Sequence, residues 1–437
     1  MKTALLLALA AARAGTTPPA APAPPEVPQN PLSFWEGKLV LSLENQTRFE
    51  YRDNNFDFND ATDALTDDGW LLNRARIGLA WKPLHGLTFF VQGQDSREWN
   101  SDRPNVPGAL GAEGDDPFDL HQAYIEYSDP KTSPWGIKAG RQKLSYGDQR
   151  LIGPLEWSNP TRCFDAVKLT YHLGDGSWVD AFAASPVIVD RDDVNEADFD
   201  NMLYGIYGHI AAERLDWEPY VLYRDDNDLD QEFVTVGMHL KSKAGANGPW
   251  DYEGECAYQN GDIGARDLSA FAGFVRGGYT WTEAAWKPRA GLEYSYASGD
   301  DDATDGDVAT FQNLYPTNHP NYGWMDAWSW QNLHNIRLSL SAKPMKKLTA
   351  TADLHFFWLA DTADAWRRAN ASTMVRPISP GADSYAGSEF DLLLNYTISP
   401  NASVLLGYSH FFAGSYLNDT GAGDDADFFY AITQFKF

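Results

Sequence analysis

The side chains with the most chemical potential in this sequence are arginines placed at alternate positions among polar neighbours. Arg48 lies in LENQTRFEYRD, Arg74 and Arg76 in LLNRARIGLAW, Arg141 and Gln142 in GRQ, Arg150 in DQR, Arg162 in PTRCF, and Arg337 in NIRLSLS. Guanidinium stays charged at any physiological pH and offers a planar fork that pairs with carboxylate, so arginines spaced along one surface make successive weak sites for an anionic solute. Gln92, Gln94 and Gln142 add hydrogen bonds suited to hydroxyl groups, and Tyr124 and Tyr146 offer flat faces for sugar rings. The competing reading for each arginine is an ion pair with Glu44, Glu50, Glu126, Asp148, Glu156 or Asp165 that braces the structure.

Other chemistries find less support. Nine histidines occur, none in a Ser-His or HExxH setting, so no catalytic constellation is expected and no enzyme. Cys163 and Cys256 lie far apart with no CxxC, which points to small structural side chains, with no metal or redox centre and no cofactor. The acidic run at 300–306 fails the EF-hand spacing at Ala303.

The elements that must position the arginines are strands. From Lys38 to Phe437 the chain alternates with period two over stretches of roughly ten residues, the length a tilted strand needs to cross a hydrocarbon layer. Leu39, Leu41, Leu43, Phe49 and Tyr51 share one face of the first stretch; Glu44, Gln46, Arg48, Glu50 and Arg52 share the other. The pattern repeats at 70–81, 234–240, 289–296, 335–342 and 389–398. Apolar faces end in Trp or Tyr, as at Trp81, Tyr127, Tyr171, Tyr223, Tyr258, Tyr296 and Tyr408, consistent with aromatic girdles at two membrane interfaces. Connections alternate too: WKPLHGL, GDGSW, WKPRA and KPMKKL are short, whereas 53–69, 97–117, 299–330 and 360–387 are long. The last residues, DFFYAITQFKF, place Phe429, Ala431, Thr433, Phe435 and Phe437 on one face. They resemble the terminal strand that the assembly machinery of outer-membrane barrels reads. The fold expected is all-β, a transmembrane antiparallel up-and-down barrel of about 18 strands with short periplasmic turns and long acidic extracellular loops.

Length and charge agree. The chain has 437 residues and a net charge of −27, which excludes general binding to nucleic acid. The windows 53–68, 190–200, 225–232, 300–307 and 419–427 hold 26 of the 61 acidic residues against one base, Arg191, and so carry −25 of the total. Acidity belongs to candidate loops, and the wall is near neutral, so pore and rim can differ in sign. Residues 1–14, with Lys2, the apolar run Ala4–Ala12 and the site Ala12-Arg13-Ala14, read as a signal peptide. Residues 15–32 read as a Pro/Ala-rich tether, and 33–437 as the barrel.

One segment is specific. Residues 140–169, GRQKLSYGDQRLIGPLEWSNPTRCFDAVKL, resemble the alginate export family of outer-membrane β-barrels, with weaker matches at 71–84 and 119–127. The resemblance implies an 18-stranded barrel whose narrow, arginine-lined lumen passes an anionic uronate polymer outward, with Arg74, Arg76, Arg141, Gln142, Arg150 and Arg162 at matching positions. The partners it implies are an anionic polysaccharide or small anionic solute, outer-membrane lipid and lipopolysaccharide, and the barrel assembly machinery acting on the strand that ends in Phe437. A porin for small anionic solutes and a plugged adhesion barrel are the alternatives. Two local questions stay open at this level. The segment Gly147 to Gly153, followed by Pro154 and Trp157, is either folded into the pore or an ordinary rim loop. Arg141 shares parity with Ile137 and Ala139, so a bulge must intervene if it is to line a pore.

Overall fold

The computed structural model describes residues 32–437 apart from 55, 63–66, 103–113 and 372–373. The expected signal peptide and nearly all of the tether lie outside the described residues.

Alternation of apolar and polar side chains can bury one face of a ribbon, but every strand edge then needs a partner, and in lipid an unpaired edge costs several kcal/mol per group. The chain meets that demand by closing on itself. Eighteen antiparallel strands follow one another: β1 (Leu39–Asp53), β2 (Asp68–Leu84), β3 (Leu87–Trp99), β4 (Asp116–Tyr127), β5 (Trp135–Gln142), β6 (Phe164–Gly174), β7 (Ser177–Ile188), β8 (Asn201–Ala211), β9 (Leu215–Asp226), β10 (Gln231–Ser242), β11 (Trp250–Ile263), β12 (Arg266–Thr280), β13 (Arg289–Ala297), β14 (Leu333–Met345), β15 (Leu348–Leu359), β16 (Tyr385–Ser399), β17 (Ala402–Ala413) and β18 (Ala426–Lys436). The barrel is sealed by β18 against β1, from Asp53 opposite Asp427 to Glu44 opposite Lys436. Phe437 N–H donates to Leu43 O at 2.8 Å, extending the seam to the last residue.

The outer face is the one the alternation assigns to lipid. Leu43, Phe49, Ile77, Leu79, Val167, Leu169, Val236, Leu292, Leu338 and Leu340 are exposed there; Trp81 and Tyr127 stand near strand ends, whereas Tyr258 and Tyr408 lie toward the middle of their strands. Phe429, Phe435 and Phe437 are exposed on the terminal strand. Turns at 85–86, 175–176, 346–347 and 400–401 are tight, and the loops 54–67, 143–163, 298–332 and 360–384 at the other rim are long. That rim is uneven, because 227–230 and 264–265 on the same side are as short as the periplasmic turns. All five acidic windows fall on the long-loop rim, with 225–232 at its low side.

The inner face departs from a simple water-lined bore. Toward the loops, the inward side chains Trp70, Leu72, Phe164, Phe182, Leu222, Phe233, Phe274, Phe357, Phe411, Phe428 and Tyr430 are buried and apolar or aromatic. The cause is that 143–163 and 298–332 fold inward and pack a core against them through Leu144, Ile152, Phe311, Trp328 and Trp330, joined by Phe58, Trp366 and Tyr416 from neighbouring loops. The two loops are zipped together by backbone hydrogen bonds: Gly153 N–H to Tyr315 O, Tyr315 N–H to Leu151 O, and Thr317 N–H to Gln149 O, each at 2.8 Å. Toward the periplasm most inward residues are polar and partly exposed, which leaves that half open to water.

Candidate permeation pathway

The inward loop 143–163 is placed by its own backbone chemistry. Gly147 has φ +55 and turns the chain into the bore where a side chain would strain the backbone. Tyr146 stacks on Phe182 at 5.3 Å and Tyr207 at 4.5 Å, and its hydroxyl donates to Asp180 at 2.9 Å. Tyr146 therefore anchors the loop and offers no free face to a sugar. Trp157 lies over the His319 ring at 3.8 Å and under the Arg48 guanidinium at 4.0 Å, coupling the two loops to the wall. Of the two readings left open by the sequence, the loop is the one folded into the lumen.

Three groups of arginines and carboxylates among the described residues bear on the bore. In the first, Arg74 donates through Nη1 to Glu156 O at 3.1 Å and Ser158 O at 2.9 Å, and through Nη2 to the Glu156 carboxylate at 3.3 Å. Arg76 reaches the same carboxylate oxygen at 3.2 Å, Glu44 at 3.4 Å, Gln94 Oε1 at 2.7 Å and Thr161 Oγ1 at 2.9 Å. Lys143 donates to the other Glu156 oxygen. Burial pushes the Glu156 carboxyl up, but Arg76, Lys143 and Arg74 together hold it well below the usual carboxylate range.

In the second group, Arg150 is completely buried and donates to Glu293 at 2.6 Å, the Tyr322 hydroxyl at 2.7 Å, Ser295 at 3.4 Å and Asp148 at 3.3 Å, with the Phe274 ring at 3.7 Å. Glu293 also receives Arg337 at 2.6 Å and lies 3.6 Å from Arg276, which itself binds Glu253 and Asp148. A polar recess of about 280 Å³ opens beside these residues, lined by Arg276, Arg289, Arg337, Asp251, Glu253 and Glu293. In the third group, Arg48 pairs with Glu50 at 2.6 Å, and Arg52 with Glu50 at 3.3 Å and Asp326 at 3.6 Å.

The residues expected to line the pore are placed differently from one another. Arg48, Arg74, Arg76 and Arg337 are on the inner face, Gln92 and Gln94 are buried beside them, and Tyr124 faces inward with Lys138 Nζ 3.7 Å from its ring. Gln142 is fully buried and donates to Gly140 O and Ala166 O. Arg162 is held by the carbonyls of Gly153 at 3.1 Å and Pro316 at 2.9 Å, and burial lowers its guanidinium to about 10. Arg141 is the correction. The β5–β6 pairing runs without a shift from Trp135 opposite Tyr171 to Gln142 opposite Phe164, so Arg141 keeps the parity of Ile137. It sits on the outer face near the long-loop rim, bound to Asp165 at 2.8 Å and to Asn195 O at 2.9 Å.

Sequence reasoning missed Lys138, Lys168 and Arg276 as lumen cations, and it left Arg289, on the polar face of its strand, out of the pore-lining set. Arg276 shares parity with the apolar Ala272 and Phe274, inward side chains that are buried in the packed core, so the polar character of this face is hidden in the sequence. Among the described residues no cluster of metal-ligating side chains occurs.

Comparison with known proteins gives the same architecture. Acinetobacter baumannii OccAB1 is similar with a TM-score of 0.62 and 14% identity, over 94% of this chain and 99% of that one. Pseudomonas aeruginosa OccK9 (OpdG) matches at 0.64 and 14%, over 91% and 98%, and OccK11 (OpdR) from the same organism at 0.58 and 13%, over 91% and 96%. No curated protein matches the chain. These neighbours are outer-membrane porins and show the fold. The profile of the alginate export family matches residues 38–430, nearly the whole barrel. This chain belongs to the alginate export family, and is an outer-membrane channel protein and not an enzyme.

Proposed function

We propose that the channel passes an anionic polysaccharide of the polyuronate class passively outward, along lumen cations that include Arg74, Arg76, Arg337, Arg276 and Lys143. The observation that carries this reading is the convergence of Arg74, Arg76 and Lys143 on one carboxylate at the border between the water-filled half and the loop core. Three cations around a carboxylate are a uronate-binding geometry already assembled. Lumen pairs such as Arg289 with Asp251, 27% and 43% exposed, stand in water, where attraction is weak enough to exchange with a passing solute. Outward-facing Phe437 supports recognition of the terminal strand by the assembly machinery, and the acidic rim supports contact with lipopolysaccharide through divalent ions.

A second reading, a porin for small anionic solutes, is favoured by one feature: the two inward loops fill the upper lumen with packed aromatic side chains. Planar-bilayer recording of the refolded chain under a salt gradient tests both. The expected result is an anion-selective reversal potential, with current blocked by oligogalacturonate and not by maltooligosaccharide. Selective passage of monouronates without block by the oligomer favours the porin. Cation preference, or no conductance, refutes both.

A further inference from the structure

The Glu156 carboxylate differs from its neighbours in one respect. Its side chain is 45% exposed, whereas Arg74 and Arg76 are 5% and 3% exposed and Lys143 is 23%. The cations therefore reach lumen water mainly through the carboxylate that caps them. The loop backbone does not depend on that carboxylate. Arg74 also holds the carbonyls of Glu156 and Ser158, Arg48 donates to Trp157 O, and Gln94 donates to Pro160 O at 2.6 Å. A rotation about the Glu156 side chain would empty a carboxylate site without unfolding the loop that forms it.

We infer that Glu156 is a resident stand-in for the solute's carboxylate, and that a passing uronate binds Arg74, Arg76 and Lys143 by displacing it. The inference rests on the anion-channel reading above. With Glu156 seated, Arg74, Arg76 and Lys143 face two carboxylates, Glu156 and Glu44. With it displaced by a solute carboxylate the charge balance is the same, so each exchange is nearly neutral in energy and readily reversed. Without Glu156 the cluster would hold an anion too tightly for rapid passage, since conduction requires that each site release what it binds. Glu156 thus sets the residence time of the solute.

The test compares wild type with Glu156→Gln as refolded full-length chains in planar bilayers, with trigalacturonate as the probe and maltotriose as the neutral control. The expected result is block of Glu156→Gln at about tenfold lower trigalacturonate, with dwell times lengthened to match, the scale of a charge-assisted pair in a partly shielded site. Acetate added at millimolar concentration should relieve the block in Glu156→Gln and leave wild type unchanged, a rescue that a disordered loop would not give. Heat-modifiability on gels checks that both barrels are folded. If wild type is anion-selective and blocked by trigalacturonate but Glu156→Gln behaves identically, the stand-in role is overturned and the channel reading stands. If wild type shows no anion preference, both fall.

Discussion

Replacing Arg150 by Met tests whether the lumen filler is held by buried charge or by packing alone. Arg150 is completely buried, so its guanidinium is compensated by Glu293, Asp148, the hydroxyls of Tyr322 and Ser295 and the Phe274 ring, away from bulk water. Removing one partner of a buried ion pair costs about 3–5 kcal/mol when the other charge is stranded. Glu293 is not stranded, because Arg337 stays at 2.6 Å and Arg276 at 3.6 Å, which places the loss at the low end, about 3 kcal/mol. The effect should be local. Trp330, whose ring centre lies 5.8 Å from the Arg150 guanidinium, reports it through the denaturant midpoint of tryptophan emission, while strand circular dichroism changes later. Adding Glu293→Gln should cost less than the sum of the two single changes. An emission midpoint shifted by less than about 0.5 kcal/mol would refute the argument.

Glu156, whose carboxyl is held low by Arg76, Lys143 and Arg74, contributes fully above the ordinary carboxylate value of about 4.3 and loses its contribution only as pH falls below it. Open-channel noise should therefore be constant from pH 8 to pH 5, and a transition centred above pH 5 contradicts the assignment. Arg141→Glu, on the outer face, should leave the reversal potential unchanged, whereas a shift toward cation preference would return Arg141 to the pore. Burial pushes the Cys163 thiol up to about 12, so maleimide at pH 8 should leave it unmodified in the folded barrel by mass spectrometry and label it after denaturation.

The sequence made the wall legible because lipid imposes a rule of alternation: Leu39, Leu41, Leu43, Phe49 and Tyr51 mark the outer face of the first strand even with Asn45 and Thr47 among them, and Arg48, Glu50 and Arg52 then face the bore by parity. The same rule located Arg74 and Arg76. It failed on the inner face near the loops, where Phe182, Phe274 and Phe411 look inward to a packed core and not to water, because periodicity records which side a residue is on and not what fills the other side. Arg141 was ambiguous for a related reason, since whether a bulge intervenes depends on hydrogen-bond register that side-chain pattern does not encode. The partners of Glu156 and Arg150 lie up to 172 residues away and became visible only with the inward path of both loops.

The ribbon formed by Gly153, Tyr315 and Thr317 joins loops that spring from nearly opposite sides of the cylinder, between the fifth and sixth strands and between the thirteenth and fourteenth. It acts as a crossbeam on a diameter. A hollow tube of this girth can flatten under lateral pressure from the bilayer, but one tied across its middle keeps a fixed cross-section. Severing the beam should turn a pore of single calibre into one that breathes.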